Sequence, residues 1–513
     1  MSRTPQPHEK RLTPNEVALL IALQEKPRAT FSKLAKRLDI SVQTVSARYD
    51  RLWKARYPES RQLKLPEVYR GIVQADFNTD ALGLDLLHVF LHTKGPQRVK
   101  TLVKVLGNHP YTLYRGNVYG PYNGIYAQFG IPKGTIPLVE ELFDSLVEKG
   151  LVDKYEIIEG SSCDSIFTRP NLNNWEASTQ SWTFDWNSWV QGFQKLDEPP
   201  SLQFPSKKQK LVDHLDMRIL RLLTFDVRKK NTDILACLAS EDFSQLIAKA
   251  KHKKVEEDSE EAHLLELLFD TVYPRDDLKQ LKIHPIYVHE VIAPSMVAEN
   301  IKKPSLQYRK AVEKGEETTA IQAKADELWT YVEGLYPPQR MSERVNRLKK
   351  DFIIGHRVFF DDQSFDIYHT IAFRGRCDEE TTKKLEQLLV YTPEGWDEDQ
   401  NSDDLSPFPF QSTFKRLPPN EFFWYIRLPP THFHKAVELM WTLGVEDFDV
   451  LTIDYDSSER YAMFYYTWDY EAEEKAKKKN PEALGPFWKK DHRFMVQEVL
   501  DSVEEDLKTL ANS

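Results

Sequence analysis

Residues 30–52 read TFSKLAKRLDISVQTVSARYDRL. Phe31, Leu34, Ala35 and Leu38 fall at i, i+3, i+4 and i+7, one face of a helix that Thr30 can open. The short turn Asp39-Ile40-Ser41 follows, and Ser41 can cap another helix whose apolar side is Val42, Val45, Tyr49 and Leu52. Upstream, Asn15 to Gln24 sets Val17, Leu20 and Ile21 on one face, and Pro27 stops that helix. Three short helices with a tight turn before the third predict a helix-turn-helix. The other side of the third helix offers Gln43, Thr44, Ser46, Arg48 and Arg51, with Ser41 at its start and Lys36 beside it. Gln and Arg can each make two hydrogen bonds to a base edge, while Lys and Arg neutralise phosphates. The face therefore reads as a helix for the major groove of double-stranded DNA. The plainer alternative is an interaction module with a solvated basic face. Charge favours the first: residues 1–64 hold 14 Lys/Arg against 6 Asp/Glu, although the whole chain carries −10.

This segment resembles the helix-turn-helix of the Lrp/AsnC family of transcription regulators. The matching residues are Leu23, Arg28, Leu34-Ala35, Ile40-Ser41, Thr44-Val45, Arg48 and Leu52. In that family the recognition helix passes at once through a Gly-Val/Ile step into a strand. Here Trp53 to Leu65 is longer and basic.

From Tyr69 to Glu159 the periodicity changes. Strand-like runs at Leu84 to Thr93, Tyr111 to Val118, Gly124 to Gly130 and Asp153 to Ile158 alternate with helical runs at Pro96 to Gly107 and Ile136 to Lys149. The order β-α-β-β-α-β predicts a ferredoxin-like domain. The resemblance implies that this domain dimerises and senses a small amino acid-like effector near Gly120, Tyr122 and Asn123. The family has Asp where Asn123 stands. Read from the residues alone, 120–124 is a glycine-rich hairpin turn.

A shift of 200 residues places Leu20 on Leu220, Leu23 on Leu223, Arg28 on Arg228 and Leu38 on Leu238. A shift of 296 places Ser46 on Ser342, Arg48 on Arg344, Arg51 on Arg347 and Leu52 on Leu348. The chain thus reads as a tandem duplication whose second helix-turn-helix is interrupted by residues 239–335, an insertion with 13 Lys/Arg against 19 Asp/Glu. Its reading helix would carry Gln339, Arg340, Ser342, Arg344 and Arg347. A shift of 281 brings Asp85 onto Asp366 and His88 onto His369, opening a second β-α-β-β-α-β.

The expected fold class is α+β, with two (winged) helix-turn-helix domains and two ferredoxin-like domains. The expected boundaries are 1–65, 66–160, a Trp-rich linker 161–210, 211–355 with its insertion, 356–470, and a C-terminal helical segment 471–513. The ferredoxin-like domains are expected to pair within one molecule as a pseudo-dimer, with further homo-oligomers open. The unequal reading helices point to an asymmetric DNA site.

Three widely spaced cysteines, Cys163, Cys237 and Cys377, exclude a disulfide framework and paired-cysteine zinc sites. The polar N-terminus and the lack of an 18-residue apolar run lead us to expect a cytoplasmic protein without a membrane partner. His432 and His434 are two apart, a poor spacing for metal ligation from one helical face. Asp397, Asp399, Asn401 and Asp403 suggest a calcium loop, but Ser402 and Phe408 break the pattern, leaving an acidic loop. No nucleotide-binding glycine loop or His-Glu-x-x-His occurs. No catalytic residue, metal or cofactor is expected, and the chain is expected not to be an enzyme. The reading is a DNA-binding transcription regulator. Its alternatives are an interaction scaffold or an architectural DNA binder.

Overall fold

The computed structural model describes residues 12–56, 71–202, 204–252, 259–271, 319–391, 408–417, 420–445, 447–454, 457–460, 467–491, 497, 500, 501, 503 and 504. The chain divides into two compact units, residues 1–55, 76–217 and 352–513 in the first and 56–75 and 218–351 in the second. The fold is mixed helix and sheet, beginning with three helices: α1 (Pro14–Glu25), α2 (Phe31–Leu38) and α3 (Val42–Arg56). Thr13 and Glu16 cap α1 reciprocally, each bonding the other's backbone N–H. Leu20, Leu23, Leu34, Val45, Tyr49 and Leu52 form the shared core. α1 is buried nearly all round, because its other side meets the rest of the first unit: Leu172 N–H donates to Gln24 Oε1.

Strand β1 (Val73–Phe77) precedes β2 (Leu84–His92), α4 (Pro96–Asn108), β3 (Thr112–Tyr119), β4 (Gly124–Pro132), α5 (Ile136–Glu148) and β5 (Lys154–Gly160). Then come β6 (Ser165–Thr168), the small hairpin β7 (Trp175–Glu176) and β8 (Ser181–Trp182), and α6 (Trp186–Gln194). The second unit is helical: most of α7 (His214–Phe225), then α8 (Asn231–His252), α9 (Glu260–Thr271), α10 (Thr319–Leu335) and α11 (Pro338–Asp351). Inside it Arg218 bonds Glu241 and the Leu238 carbonyl, joining α7 to α8. The chain returns to the first unit with β9 (Ile353–Val358), β10 (His369–Arg376), α12 (Glu379–Val390), β11 (Ser412–Leu417), β12 (Glu421–Leu428), α13 (Phe433–Thr442), β13 (Asp447–Asp454), β14 (Glu459–Arg460) and α14 (Tyr470–Lys479).

One ten-stranded sheet organises the first unit, in the order β5-β2-β4-β3-β13-β10-β12-β11-β6, with β14 added to β3. Two β-α-β-β-α-β runs therefore each supply four neighbouring strands, and they join where β3 pairs with β13 (Tyr119 opposite Thr452, Val118 opposite Ile453). The inner faces also meet. Phe90, Val118 and Tyr126 pack with Ala372, Leu417, Phe423, Leu451 and Ile453, and the Phe90 and Phe423 rings lie 5.5 Å apart, edge to face. Within this apolar layer Lys415 Nζ donates to His88 Nε2 at 2.6 Å. The His88 Nδ1–H then faces the Tyr126 hydroxyl, also at 2.6 Å, and Gln128 donates to the same oxygen. Burial pushes the Lys415 ammonium down to about 7, with Asp80 and Asp164 pulling the other way.

Several expectations change. α8 runs unbroken through residue 239, where the insertion is expected to begin, to His252, since Ala236 to Phe243 contains neither Gly nor Pro and Ser240 turns its hydroxyl back on the Cys237 carbonyl. The segment 161–210 is more than a linker, because β6 extends the sheet and Trp186, Trp189 and Phe193 of α6 enter the core with Phe408, Phe410 and Trp424. Asp366 stands in a left-handed turn before β10 rather than within a strand. The expected helical segment 471–513 is interrupted after α14, where Trp488 bridges Trp468 and donates to the Leu82 carbonyl. Residues 461–466, which include Met463 and a run read from the sequence as an edge strand from Met463 to Tyr470, lie outside the described residues, and α14 begins at Tyr470.

The unfolded chain holds the Lys415 proton up to about pH 10.5, whereas the folded chain releases it near 7. Between those values the unfolded state binds the extra proton, so this lysine makes stability rise with pH; below 7 the full cost of the buried charge remains. Lys415→Met should therefore be more stable than wild type at pH 6.5 in urea unfolding, with the difference shrinking toward pH 9.5. Parallel curves across that range would exclude a buried titrating amine.

Candidate nucleic-acid interface

The turn between α2 and α3 sets the surface. Asp39 adopts a left-handed conformation (φ 50°), and Ile40 N–H closes on the Ala35 carbonyl at 3.1 Å. Ser41 then caps α3, its Oγ accepting from Thr44 N–H at 3.0 Å and lying 2.9 Å from Thr44 Oγ1. Ser41 and Thr44 thus spend their hydroxyls on each other and on the helix end. Gln43 and Ser46 are exposed, and Arg48 is half-buried beside the Val45–Tyr49 core side. Phe31 packs its ring on Tyr49 at 5.2 Å, which fixes α3 against α2.

Charges on this domain fall into two sets. Arg51 pairs with Glu16 of α1 (3.4 Å), Arg37 with Glu25, and Lys54 with Asp50 (2.6 Å). Lys33, Lys36 and Arg48 have no carboxylate partner among the described residues. Arg51, expected as a base reader, is thus tethered toward α1, whereas Arg48 and Lys36 keep their charge for a ligand.

The second set of expected readers lies on α11 in the second unit. Met341, Val345 and Leu348 are its buried side. Gln339 and Arg340 are exposed, with Gln339 Nε2 donating to Glu343 at 3.3 Å; Ser342, Arg344 and Arg347 are half-buried, and both of these arginines are engaged.

The turn at 120–124 is built by two glycines at positive φ. A Cβ on Gly124 would sit 1.8 Å from the Leu91 carbonyl oxygen, and one on Gly120 2.7 Å from that of Val450. Tyr122 stacks on His92 (centroids 3.9 Å apart) and meets Phe90 edge-on. Burial raises the Tyr122 hydroxyl well above its ordinary range, with the charges of Arg374, Glu156 and Asp449 acting on it. Asn123 uses its backbone carbonyl to accept from Thr93, and its side chain is exposed. Nearby, a cavity of about 260 Å³ is lined by Arg374, Gly375, Arg376, Glu421, Asp447, Phe448 and Asp449. Arg374 is held by a two-pronged bond to Glu156 (2.6 and 2.5 Å), and Arg376 bonds Glu421. Asp447 and Asp449 have no partner among the described residues.

Sequence reasoning found the turn but not this cavity, whose walls come from the second β-α-β-β-α-β. A legible signal was Arg374 and Arg376 at strand alternation, opposite Glu421. His432 proves structural, its Nδ1 accepting from Trp186 Nε1 at 2.8 Å. The acidic loop at 397–403 lies outside the described residues.

The family described as winged helix-turn-helix DNA-binding matches residues 12–57. No curated protein matches the chain. Among solved structures, PH0061 is 22% identical, covering 29% of this chain and 93% of its own, with a TM-score of 0.23. The siroheme decarboxylase NirDL is 8% identical, covering 95% of this chain and 99% of its own, at a TM-score of 0.39. NirDL with an iron-uroporphyrin III analogue gives 10%, 85%, 90% and 0.34. Likenesses this low do not say what the present chain acts on. They do correct one expectation: chains aligned along most of this one belong to an enzyme, so enzymatic activity is no longer excluded. No helix among the described residues is long and apolar enough to cross a membrane.

Ser41→Ala should cost ~1 kcal/mol by removing the α3 cap. Hydrogen exchange should then quicken at the Thr44 amide, while Ser41→Asp keeps it slow. Equal exchange in all three proteins would mean that the cap does not hold this turn.

Proposed function

We propose that the chain is a DNA-binding transcription regulator of the Lrp/AsnC type, working in the cytoplasm and reading double-stranded DNA with α3. The observation that carries the reading is the capped α3 itself, which presents Gln43, Ser46 and an unpaired Arg48 beside Lys33 and Lys36 on a matched winged helix-turn-helix. Arginine can bond a guanine edge at two points, and the lysines supply the sequence-independent attraction to phosphates. Residues 84–160 and 369–454 are read as two ferredoxin-like domains standing where two subunits of a dimer would stand. Their joined sheet supports that reading. On it, α3 and α11 are unequal readers, and the preferred site has dissimilar halves.

The effector belongs beside Gly120, Tyr122 and Asn123, in the cavity under that turn. Arg376 stands opposite Asp447 and Arg374 opposite Asp449 across β10 and β13, so the lining carries charges of both signs. Such a pair of charges suits a small amino acid, whose carboxylate and ammonium need opposite partners.

Binding to genomic DNA fragments across a salt series tests the main reading. A regulator selects a few fragments and loses affinity steeply with salt. Arg48→Ala should cost ~1–3 kcal/mol at the preferred fragments and blur the preference, and Lys36→Ala should weaken all fragments about equally. An unchanged preference in the Gln43→Ala, Arg48→Ala double variant would remove α3 from the recognition role.

A panel of amino acids at millimolar concentration tests the effector site. The binding member should raise the melting temperature by mass action, and Asp449→Asn should abolish the rise. A rise that survives Asp449→Asn would place the effector elsewhere, and no rise at all would leave the domain as an assembly surface.

A further inference from the structure

A line of polar atoms crosses the apolar layer between the two β-α-β-β-α-β runs. Lys415 of β11 comes from the second run, and His88 of β2 with Tyr126 and Gln128 of β4 from the first. Lys415 Nζ and His88 Nε2 are 2.6 Å apart, His88 Nδ1 and the Tyr126 hydroxyl 2.6 Å, and that hydroxyl and Gln128 Nε2 2.7 Å. Lys415, His88 and Tyr126 are 3%, 1% and 1% exposed, so bulk water supplies none of their partners; Gln128, at the far end, is half-buried. A Cβ on Gly160 would lie 3.1 Å from His88 Nε2, so this glycine lets β5 end directly against the imidazole.

Both imidazole contacts fit a proton on either side, and the same heavy-atom positions serve two opposite directions of the line. With Lys415 as an ammonium, Nζ donates to Nε2 and the Nδ1–H donates to the Tyr126 oxygen. Gln128 then donates to an oxygen that already accepts. The Tyr126 O–H finds an acceptor among the described residues only when the Gln128 amide turns over to present its Oε1. With Lys415 as an amine, Gln128 donates to Tyr126, the Tyr126 O–H to Nδ1, and the Nε2–H to the Nζ lone pair. Every link is then satisfied with the amide as it stands. Leaving a buried donor unpaired is costly, so one proton on Lys415 selects the His88 tautomer, the hydroxyl direction and the amide orientation together.

The proton has no other place in the line. Burial, and then the Lys415 charge, holds the His88 imidazolium well below its ordinary range, while burial and Tyr425 hold the Tyr126 phenol well above its own. The groups around Lys415 are of both kinds. Asp80 accepts from Ser161 and Ser162, and the Cys163 thiol beside it is pushed up to about 11 by burial and stays neutral. Asp164 pairs with Lys207. The two carboxylates favour the ammonium, and burial opposes it more strongly. The residues paired with Lys415, Ser165 on β6 and Phe423 on β12, carry no charge, and neither does Ile158, opposite His88 on β5. Around Tyr126 stand the phenols of Tyr114, Tyr122 and Tyr425.

We propose that Lys415, His88, Tyr126 and Gln128 form a proton-operated switch at the junction of the two runs: uptake of a proton by Lys415 on the second run reverses the line of hydrogen bonds and turns the Gln128 amide over on the first. The amine setting turns the Gln128 carbonyl away from Tyr126, and the ammonium setting turns its amino group away.

Nitrogen NMR of the full chain labelled at histidine reads the tautomer directly, with His88 assigned by the signal lost in His88→Gln. From pH 8.5 down to 5.5 the His88 proton should move from Nε2 to Nδ1, crossing near 7. Lys415→Met should abolish the crossing. Gln128→Glu should raise the pH of the crossing by about one unit, because a carboxylate accepts only and so holds the Tyr126 O–H in the ammonium direction. A tautomer that stays fixed in wild type across this range overturns the switch. So does a crossing that survives Lys415→Met, which would place the titration on another group. A crossing that Gln128→Glu leaves in place also overturns it, since the signal would then stop at Tyr126.

Discussion

The rest of the first unit depends on the close approach of β3 and β13. Among the described residues two pairs are in register there, Tyr119 with Thr452 and Val118 with Ile453, and they make one sheet of two four-stranded runs. The approach needs glycine on β3 and at its end. A Cβ on Gly116 would come within 2.7 Å of Ile453 Cγ2, and one on Gly120 within 2.7 Å of a β13 carbonyl. Once the strands meet, the inner faces of the two runs are forced together. The Phe90, Phe423 and Leu451 layer is the consequence, and burying it is the main favourable term for the junction.

That layer contains more polar groups than packing alone requires. Lys415, His88, Tyr126 and Gln128 form a hydrogen-bonded chain inside it, and Arg374, Glu156 and Glu421 close its rim. Replacing such groups by apolar ones would favour stability, whereas hydrogen-bonded polar groups restrict how two faces can slide. Each chain of bonds crosses from one β-α-β-β-α-β run to the other: Lys415 to His88, and Arg374 to Glu156. They therefore set the register of the two faces, while the apolar residues supply most of the energy. Arg374, which bonds Glu156 of the first run, also lines the cavity, whose walls otherwise belong to the second run.

The helix-turn-helix was legible because its signals are local. Thr30, Ser41 and the i, i+3, i+4 spacing of Leu34, Leu38, Val45, Tyr49 and Leu52 act over one or two turns of helix. The alternation of helices and strands over 84–160 was legible for the same reason. Strand β11 was not, because Ser412 to Leu417 follows a long polar stretch and owes its place to pairing with β6 and β12. Nor was the course of α8, where the comparison of shifted sequences marked a boundary at 239 that no capping residue supports. The cavity left one signal, Arg374 and Arg376 at strand alternation, and the cluster of arginines around Asp76 left none. Asp76, Arg169, Arg357 and Arg460 are spread over a span of 384 residues, and only the fold brings their charges together.

Ion pairs decide which of the expected DNA contacts are available. On the first domain Arg37, Arg51 and Lys54 are taken up by carboxylates, two of them on α1. The two pairs to buried Glu16 and Glu25 brace the three helices, whereas the more exposed Lys54–Asp50 pair within α3 adds only a fraction of a kcal/mol to about one kcal/mol. Lys33, Lys36 and Arg48 are left for an anionic partner. On α11 the balance is reversed: Arg344 and Arg347 are engaged, Gln339 bonds Glu343, and among its three arginines only Arg340 keeps its donors uncommitted. On the proposed reading the two helices therefore differ in what they can offer DNA as well as in sequence. The first supplies an arginine for a base edge and two lysines for phosphates; the second supplies one exposed arginine. A duplex that met both would be held mainly by the first, and its recognised half-site would be the one under α3.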